Sequence, residues 1–224
     1  MKKLNKIIKL ILAFAFTFSL FTMKNVYAEE TVVAKIGDKE YTSFNDALKD
    51  ANLNDNTTIE LLSNIYLDNE KITISSDKNI IIDGQSYTIE LIYKSINNSG
   101  GGLVGLNNNS SLVLKNCQVN IKDNLSGYNG TVAMNANTEL TLDNVNMTID
   151  GINCSGNAHG IYLWDDNGKG VINVINQSQL NVKNYPQDAL EWDGNGKDEF
   201  NVSNSTVNFS NNRSGIAGTI NCKF

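Results

Sequence analysis

From Thr58 onward apolar and polar residues alternate in short runs. TIELL, KITIS, NIIID and YTIEL come first, and a tract rich in Asn and Gly follows. Alternation of this kind puts successive side chains on opposite faces of a strand, one set toward a core and one toward water. Within the tract the runs recur. Asn116, Asn144, Asn176 and Asn204 lie 28, 32 and 28 residues apart, closing the runs SLVLKN, ELTLDN, VINVIN and EFNVSN. A second run follows each: CQVNI, VNMTI, QSQLNV and STVNF. A third set appears as GLVGL at 102, GTVAM at 130, GIYLW at 160, DALEW at 188 and GIAGT at 215. One earlier coil, NIIIDGQSYTI, carries Gly84 where the later ones carry asparagine.

Three short strands per coil of ~28 residues predict an all-β fold, a right-handed parallel β-helix over residues 58–224. Stacking sets equivalent residues one strand spacing apart, ~4.8 Å. Leu112, Leu140, Ile172 and Phe200 then form one inward stack, and Leu114, Leu142, Val174 and Val202 another. The four asparagines are expected to form a ladder at a turn, each buried amide bonding to its neighbours above and below. The chain stops at Asn221-Cys222-Lys223-Phe224, partway through a coil. Two readings stay open there: Phe224 closes the core, or the chain is a piece of a longer protein.

The pattern upstream is different. Over residues 29–57, Val32 to Ile36, a Gly37-Asp38 turn and Glu40-Tyr41 predict a short hairpin. Ser43-Phe44-Asn45-Asp46 has the form of a capping box, with Asp in the place of Glu or Gln. Phe44, Ala47, Leu48 and Ala51 follow at i, i+3, i+4 and i+7, one apolar stripe on a helix over 43–52. An open β-helix end is a row of unpaired strand groups, and this helix is expected to cover it. Before that, Lys2, Lys3, Lys6 and Lys9 precede an apolar run from Leu10 to Phe21, and Val26-Tyr27-Ala28 supplies small residues at −3 and −1. Residues 1–28 therefore predict a cleaved signal peptide and a secreted, extracellular chain, with a cell-surface location open and no membrane insertion after cleavage. The run is short for a span of ~30 Å of hydrocarbon.

Cleavage removes five lysines and no acid, so the formal charge of −6 becomes −11. A chain so acidic, with one arginine, argues against nucleic acid as a partner, because phosphate binding needs clustered Lys and Arg. Cys117, Cys154 and Cys222 are odd in number and lack metal-ligand spacing, so they predict small buried side chains rather than a disulfide framework.

The run IGDKEYTSFNDALKDANLNDNTTIELLSNIYLDNEKITI, followed by NIIIDGQSYTI, resembles the start of secreted pectin-lyase-like β-helix proteins of Gram-positive bacteria, the surface and adhesin-like subgroup. In these a Y-T-S-F-x-x-A-L helix precedes T-I-x-L-L and I-x-I-D-G-x-x-Y-T-I. The resemblance covers nearly all of the chain after residue 28 and implies the fold and secretion. For function it implies only a range: polysaccharide lyases, glycoside hydrolases, adhesins and repeat modules without chemistry.

The stretches GIYLWDDNGKGVINV at 160–174 and DALEWDGNGKDEFNV at 188–202 are relatives. Trp164 and Trp192 lie 28 residues apart, as do Asp165 and Asp193. Pointing inward, the tryptophans complete an apolar column of Leu106, Met134, Trp164 and Trp192, leaving Gly105, Ala133, Leu163, Glu191 and Gly218 in the alternate one. The inward reading is preferred, because a buried Glu191 would be costly. Pointing outward, Tyr162, Trp164 and Trp192 would offer aromatic faces to a sugar. Asp165 stacked on Asp193 would suit calcium, although Lys169 and Lys197 stand where a fifth-position oxygen ligand belongs and can neutralise the acids, so no cofactor is the preferred expectation. For catalysis the nominal candidates are Asp165, Asp188, Glu191 and Arg213, with His159 preceding the acids. The expectation is a secreted, non-catalytic module for surface display, adhesion or recognition of a polysaccharide or cell-surface glycan. The alternative is a carbohydrate-active enzyme resembling a polysaccharide lyase.

Overall fold

A computed structural model describes residues 31–94, 102–164, 168–193, 197–218 and 221–223; the leader expected over 1–28 lies outside them, and so does Asp165. The chain is a right-handed parallel β-helix of about five turns. A hairpin of β1 (Ala34–Ile36) and β2 (Lys39–Tyr41) and one helix, α1 (Phe44–Leu53), precede it. Its rungs run β3 (Thr57–Leu61), β4 (Ile65–Asp68), β5 (Ile72–Ile74); then β6 (Asn79–Asp83), β7 (Thr88–Ile92), β8 (Val104–Leu106). In the next two rungs the first two strands fuse: β9 (Ser111–Lys122) with β10 (Asn129–Met134), and β11 (Glu139–Asp150) with β12 (Ala158–Leu163). Then come β13 (Val171–Ile175), β14 (Gln179–Lys183), β15 (Asp188–Trp192); β16 (Glu199–Ser203), β17 (Thr206–Ser210), β18 (Ser214–Gly218); and β19 (Asn221–Lys223).

The tube has three faces. The first holds β3, β6, the first halves of β9 and β11, β13, β16 and β19. The second holds β4, β7, the second halves of β9 and β11, β14 and β17; the third is a separate sheet in the order β18-β15-β12-β10-β8-β5. Leu112 pairs with Leu140, Leu140 with Ile172 and Ile172 with Phe200, as the alternation predicts. Leu114, Leu142, Val174 and Val202 stack beside them in the same register. These columns join residues from all three faces in a single core. No rung could bury its apolar face alone, so the rungs stabilise one another.

The asparagine turns serve a different purpose from the expected one. Asn116, Asn144, Asn176 and Asn204 all have φ between 49° and 56°. Ten of the fourteen described non-glycine residues at positive φ are asparagine, so conformation selects the residue. Asparagine tolerates the left-handed region, where other side chains cost ~1–2 kcal/mol. The ladder itself is partial and exposed. Asn144 donates its amide to Asn116 Oδ1 at 3.0 Å, but Asn116 donates to Asp83 Oδ1 at 3.2 Å and Asn176 to Asp143 Oδ1 at 2.7 Å. Asn144, Asn176 and Asn204 are exposed and Asn116 is half-buried. A second, unforeseen ladder runs along the corner between the third and first faces, with Asn109 donating to Asp77 and Asn137 to Asn109, each at 3.0 Å.

Strand β1 lies antiparallel on β3, and α1 buries Phe44, Ala47, Leu48 and Ala51. Ser43 caps the helix by accepting from the Asp46 N–H. Asn52 reaches the edge of the third face: its Nδ2 donates to Thr73 O at 2.9 Å, and Ser75 N donates to its Oδ1 at 2.7 Å. A side-chain amide thus takes the place of another strand on β5, and the expected lid covers both sheets. Of the cysteines expected in the core, Cys117 is buried, Cys154 is half-buried and Cys222 is exposed; all three are free. Burial pushes the Cys117 thiol up to about 12, which makes it inert.

Candidate functional site

The third face carries the chemistry, and its register explains why. Thr73, Gly105, Ala133, Tyr162, Glu191 and Ala217 pair in sequence across its strands and form one column. Beside it Leu106, Met134, Leu163, Trp192 and Gly218 form the neighbouring column. The preferred reading of the tryptophans is therefore corrected. Leu163, not Trp164, pairs with Trp192, 29 residues on, whereas the first face repeats at 28 between Val171 and Glu199. The connection from β12 to β13 is one residue longer than that from β15 to β16. A one-residue offset moves a side chain to the opposite face, so the doubled motif is out of step in space. Trp192 lies in the core at 2% exposure, and Trp164 stands outside at 57%. The column expected to hold Leu163 and Glu191 holds Tyr162 and Glu191 instead.

In the early rungs this face is a groove of about 470 Å³. Gly105 and Ala133 are its floor, because neither has a side chain large enough to fill the column. Asn107, Asn129 and Asn135 line its sides, and Tyr162 with Trp164 closes one end, their ring centroids 5.9 Å apart and nearly perpendicular.

Beyond Tyr162 the face becomes a polar cluster. At Gly160 the strand breaks its alternation: a Cβ there would meet Val182 Cγ1 at 2.2 Å, so Gly160 and Ile161 both face the core. That doubling lets His159 and Tyr162, three positions apart, share the outer face with rings stacked at 5.5 Å. Tyr128, from the segment between β9 and β10, packs edge-on against both. His159 Nδ1 sits 2.7 Å from Glu191 Oε2 and 3.5 Å from Asp188 Oδ2. Arg213 Nη2 donates to both Asp188 oxygens, at 2.9 and 3.2 Å, and Ser214 Oγ–H donates to Oδ1. The Tyr128 hydroxyl donates to Glu191 Oε1 at 3.1 Å and to Asp193 Oδ2 at 3.4 Å; Tyr162 donates to that same Asp193 oxygen at 2.5 Å.

Burial disfavours the charged forms of three of these groups. It lowers the His159 imidazole, against the pull of Asp188 and Asp193. It raises the Glu191 carboxyl, and the nearby Asp188 and Asp193 charges raise it further while the Tyr128 hydroxyl opposes them. Burial, then the hydrogen bond to Asp193, holds the Tyr162 phenol well above its ordinary value.

Of the candidates read from sequence, Asp188, Glu191, Arg213, Asp193 and Tyr162 meet here. Trp164 borders the groove, and Trp192 belongs to the core. Asp165 lies outside the described residues, while Asp193 is held by two phenol hydroxyls. His159, which precedes the acids in sequence, is a buried strand residue. Tyr128 carried no signal, since a lone tyrosine in SGYNG matches no repeat. The groove floor did have one: Gly105 and Ala133 were already visible as small residues at equivalent positions of successive coils. No described helix is long and apolar enough to cross a membrane. Comparison of the chain with protein-family models, with curated proteins and with solved structures finds no match.

Proposed function

We propose that the chain is a secreted, pectin-lyase-like β-helix module that recognises a glycan on its third face without turning it over. The observation that carries this reading is Trp164. A large indole held 57% exposed at the end of a groove floored by Gly105 and Ala133 offers an apolar plane to a sugar ring. The amides of Asn107, Asn129 and Asn135 supply donors and acceptors for hydroxyls. The test is a panel of neutral and acidic polysaccharides titrated against intrinsic fluorescence. A ligand is expected to change the emission of the intact chain, and Trp164→Ala is expected to abolish binding with the fold intact. A panel without any binder, or binding that survives Trp164→Ala, rejects the reading.

A second reading, a carbohydrate-active enzyme, is favoured by the convergence of Asp188, Glu191, Asp193 and His159 at the far side of Tyr162, the residue that also walls the groove. It requires turnover, seen as unsaturated uronides absorbing in the ultraviolet or as new reducing ends. The module reading expects neither, and turnover lost in Glu191→Gln would replace it.

A further inference from the structure

We propose that His159, Asp188 and Glu191 form a binding site for one divalent transition-metal ion of the zinc class. The proposal stands apart from glycan recognition and concerns only the polar end of the third face.

Three observations support it. The first is geometric. One imidazole nitrogen and two carboxylate oxygens lie within 4.8 Å of one another. Ligands of a tetrahedral ion with bonds of about 2.1 Å are about 3.4 Å apart. The His159–Asp188 separation of 3.5 Å already matches that value, and the His159–Glu191 separation of 2.7 Å falls short of it by less than 1 Å.

The second is an unmet polar demand. His159 is 2% exposed, and neither of its ring nitrogens has a hydrogen-bond partner; Glu191 Oε2, which faces Nδ1, has none either. The two atoms are close but not aligned for donation. Buried polar atoms are nearly always satisfied, so a pair left facing each other is arranged as ligands would be. Glu191 has its other oxygen met from outside, and Asp188 has both, the ligand Oδ2 included. Tyr128 holds Glu191 through Oε1, while Arg213 and Ser214 hold Asp188. Such outer partners orient metal ligands.

The third is charge. Asp188, Glu191 and Asp193 carry three formal negative charges against one guanidinium, Arg213, and a divalent cation restores neutrality. One nitrogen and two oxygens suit zinc, cobalt or manganese better than calcium, which takes six to eight oxygens.

The experiment uses the chain from residue 29 onward, stripped with a chelator and titrated with Zn²⁺ by calorimetry, then with Co²⁺ by visible absorption. One Zn²⁺ per chain is expected, with a saturable rise in Tm, and Co²⁺ is expected to develop the d–d bands of a mixed nitrogen and oxygen site. His159→Gln and Glu191→Gln are each expected to weaken Zn²⁺ by more than about 100-fold, beyond the 10–100-fold typical of outer-shell changes. Should His159→Gln fail to fold by circular dichroism, the near-isosteric Glu191→Gln decides. Trp164→Ala is expected to keep Zn²⁺ affinity unchanged, which separates this result from the fate of the glycan reading. A stripped chain that binds no Zn²⁺, or binding undiminished in Glu191→Gln, overturns the proposal.

Discussion

The outer surfaces of the first and third faces are built on one backbone plan and used differently. On the first face, polar residues answer one another from rung to rung. Asn201 donates to Asn173 Oδ1 at 2.9 Å and Asn173 to Thr141 Oγ1 at 3.1 Å, while Lys169 pairs with Glu199 and Lys115 with Asp83. In these rungs polar groups meet or charges are matched, with Asn201 Oδ1 left as an unpartnered atom. On the third face the equivalent column reads Thr, Gly, Ala, Tyr, Glu, Ala. Size changes at every rung and a charge enters at Glu191, leaving a groove at one end and crowded carboxylates at the other. In a solenoid, then, polar groups that answer one another from rung to rung mark scaffold, and a column that sets glycine, aromatic and acid side by side marks a site.

The sharpest attack on this contrast is Trp192→Ala. It removes a core side chain that shares its third-face column with Leu163, and unfolding in denaturant should show a loss of ~3–5 kcal/mol. A loss below about 1 kcal/mol would mean that Trp192 is not part of the shared core.

Next in size is the asparagine turn between the first and second faces. Asn144→Ala should cost ~1–2 kcal/mol, because alanine must adopt a left-handed conformation, whereas Asn144→Gly should cost clearly less. Equal losses in the two variants would restore the amide bonds, rather than the backbone, as the reason for asparagine.

Smaller again is a pH effect confined to the first face. Hydrogen bonds from Lys169, then Asn201, hold the Glu199 carboxyl at about 2, below its ordinary 4.5. A depressed pKa stabilises the fold above the unfolded value, and that contribution disappears as pH falls from about 4.5 through about 2. Glu199→Gln should therefore flatten stability against pH in that window and leave neutral behaviour little changed. An unaltered acid profile would show that the pairing is not maintained in solution.

The smallest change in stability belongs to Trp164→Ala, within about 0.5 kcal/mol of the parent, as for other exposed positions. Set beside Trp192→Ala, it measures the difference between two residues that one sequence motif makes look alike.

That pair also shows where legibility ended. The fold could be read because core alternation and asparagine spacing stay in phase over several rungs, and stacking requires no more than that. The helix and its apolar stripe could be read for the same reason. The site could not, since it depends on offsets. One additional residue between β12 and β13 separates Trp164 from Trp192, and the doubled inward step at Gly160 turns His159 outward. Tyr128 arrives from a connection with no periodicity at all. Acid and arginine candidates were visible by residue type, but only the fold brings Asp188 to Arg213 and Glu191 to His159.

The third-face column has a consequence for descent. Its groove and its carboxylate cluster are separated by a count of rungs, with Tyr162 as the boundary. Inserting one whole coil between β12 and β15 would leave the lid, the core and the asparagine corners intact. It would also shift the acids from the aromatic wall in a single step of ~4.8 Å. Lineages of such a chain can therefore alter the reach of the site in discrete increments, by copying a cassette of about 28 residues, without first inventing a new loop.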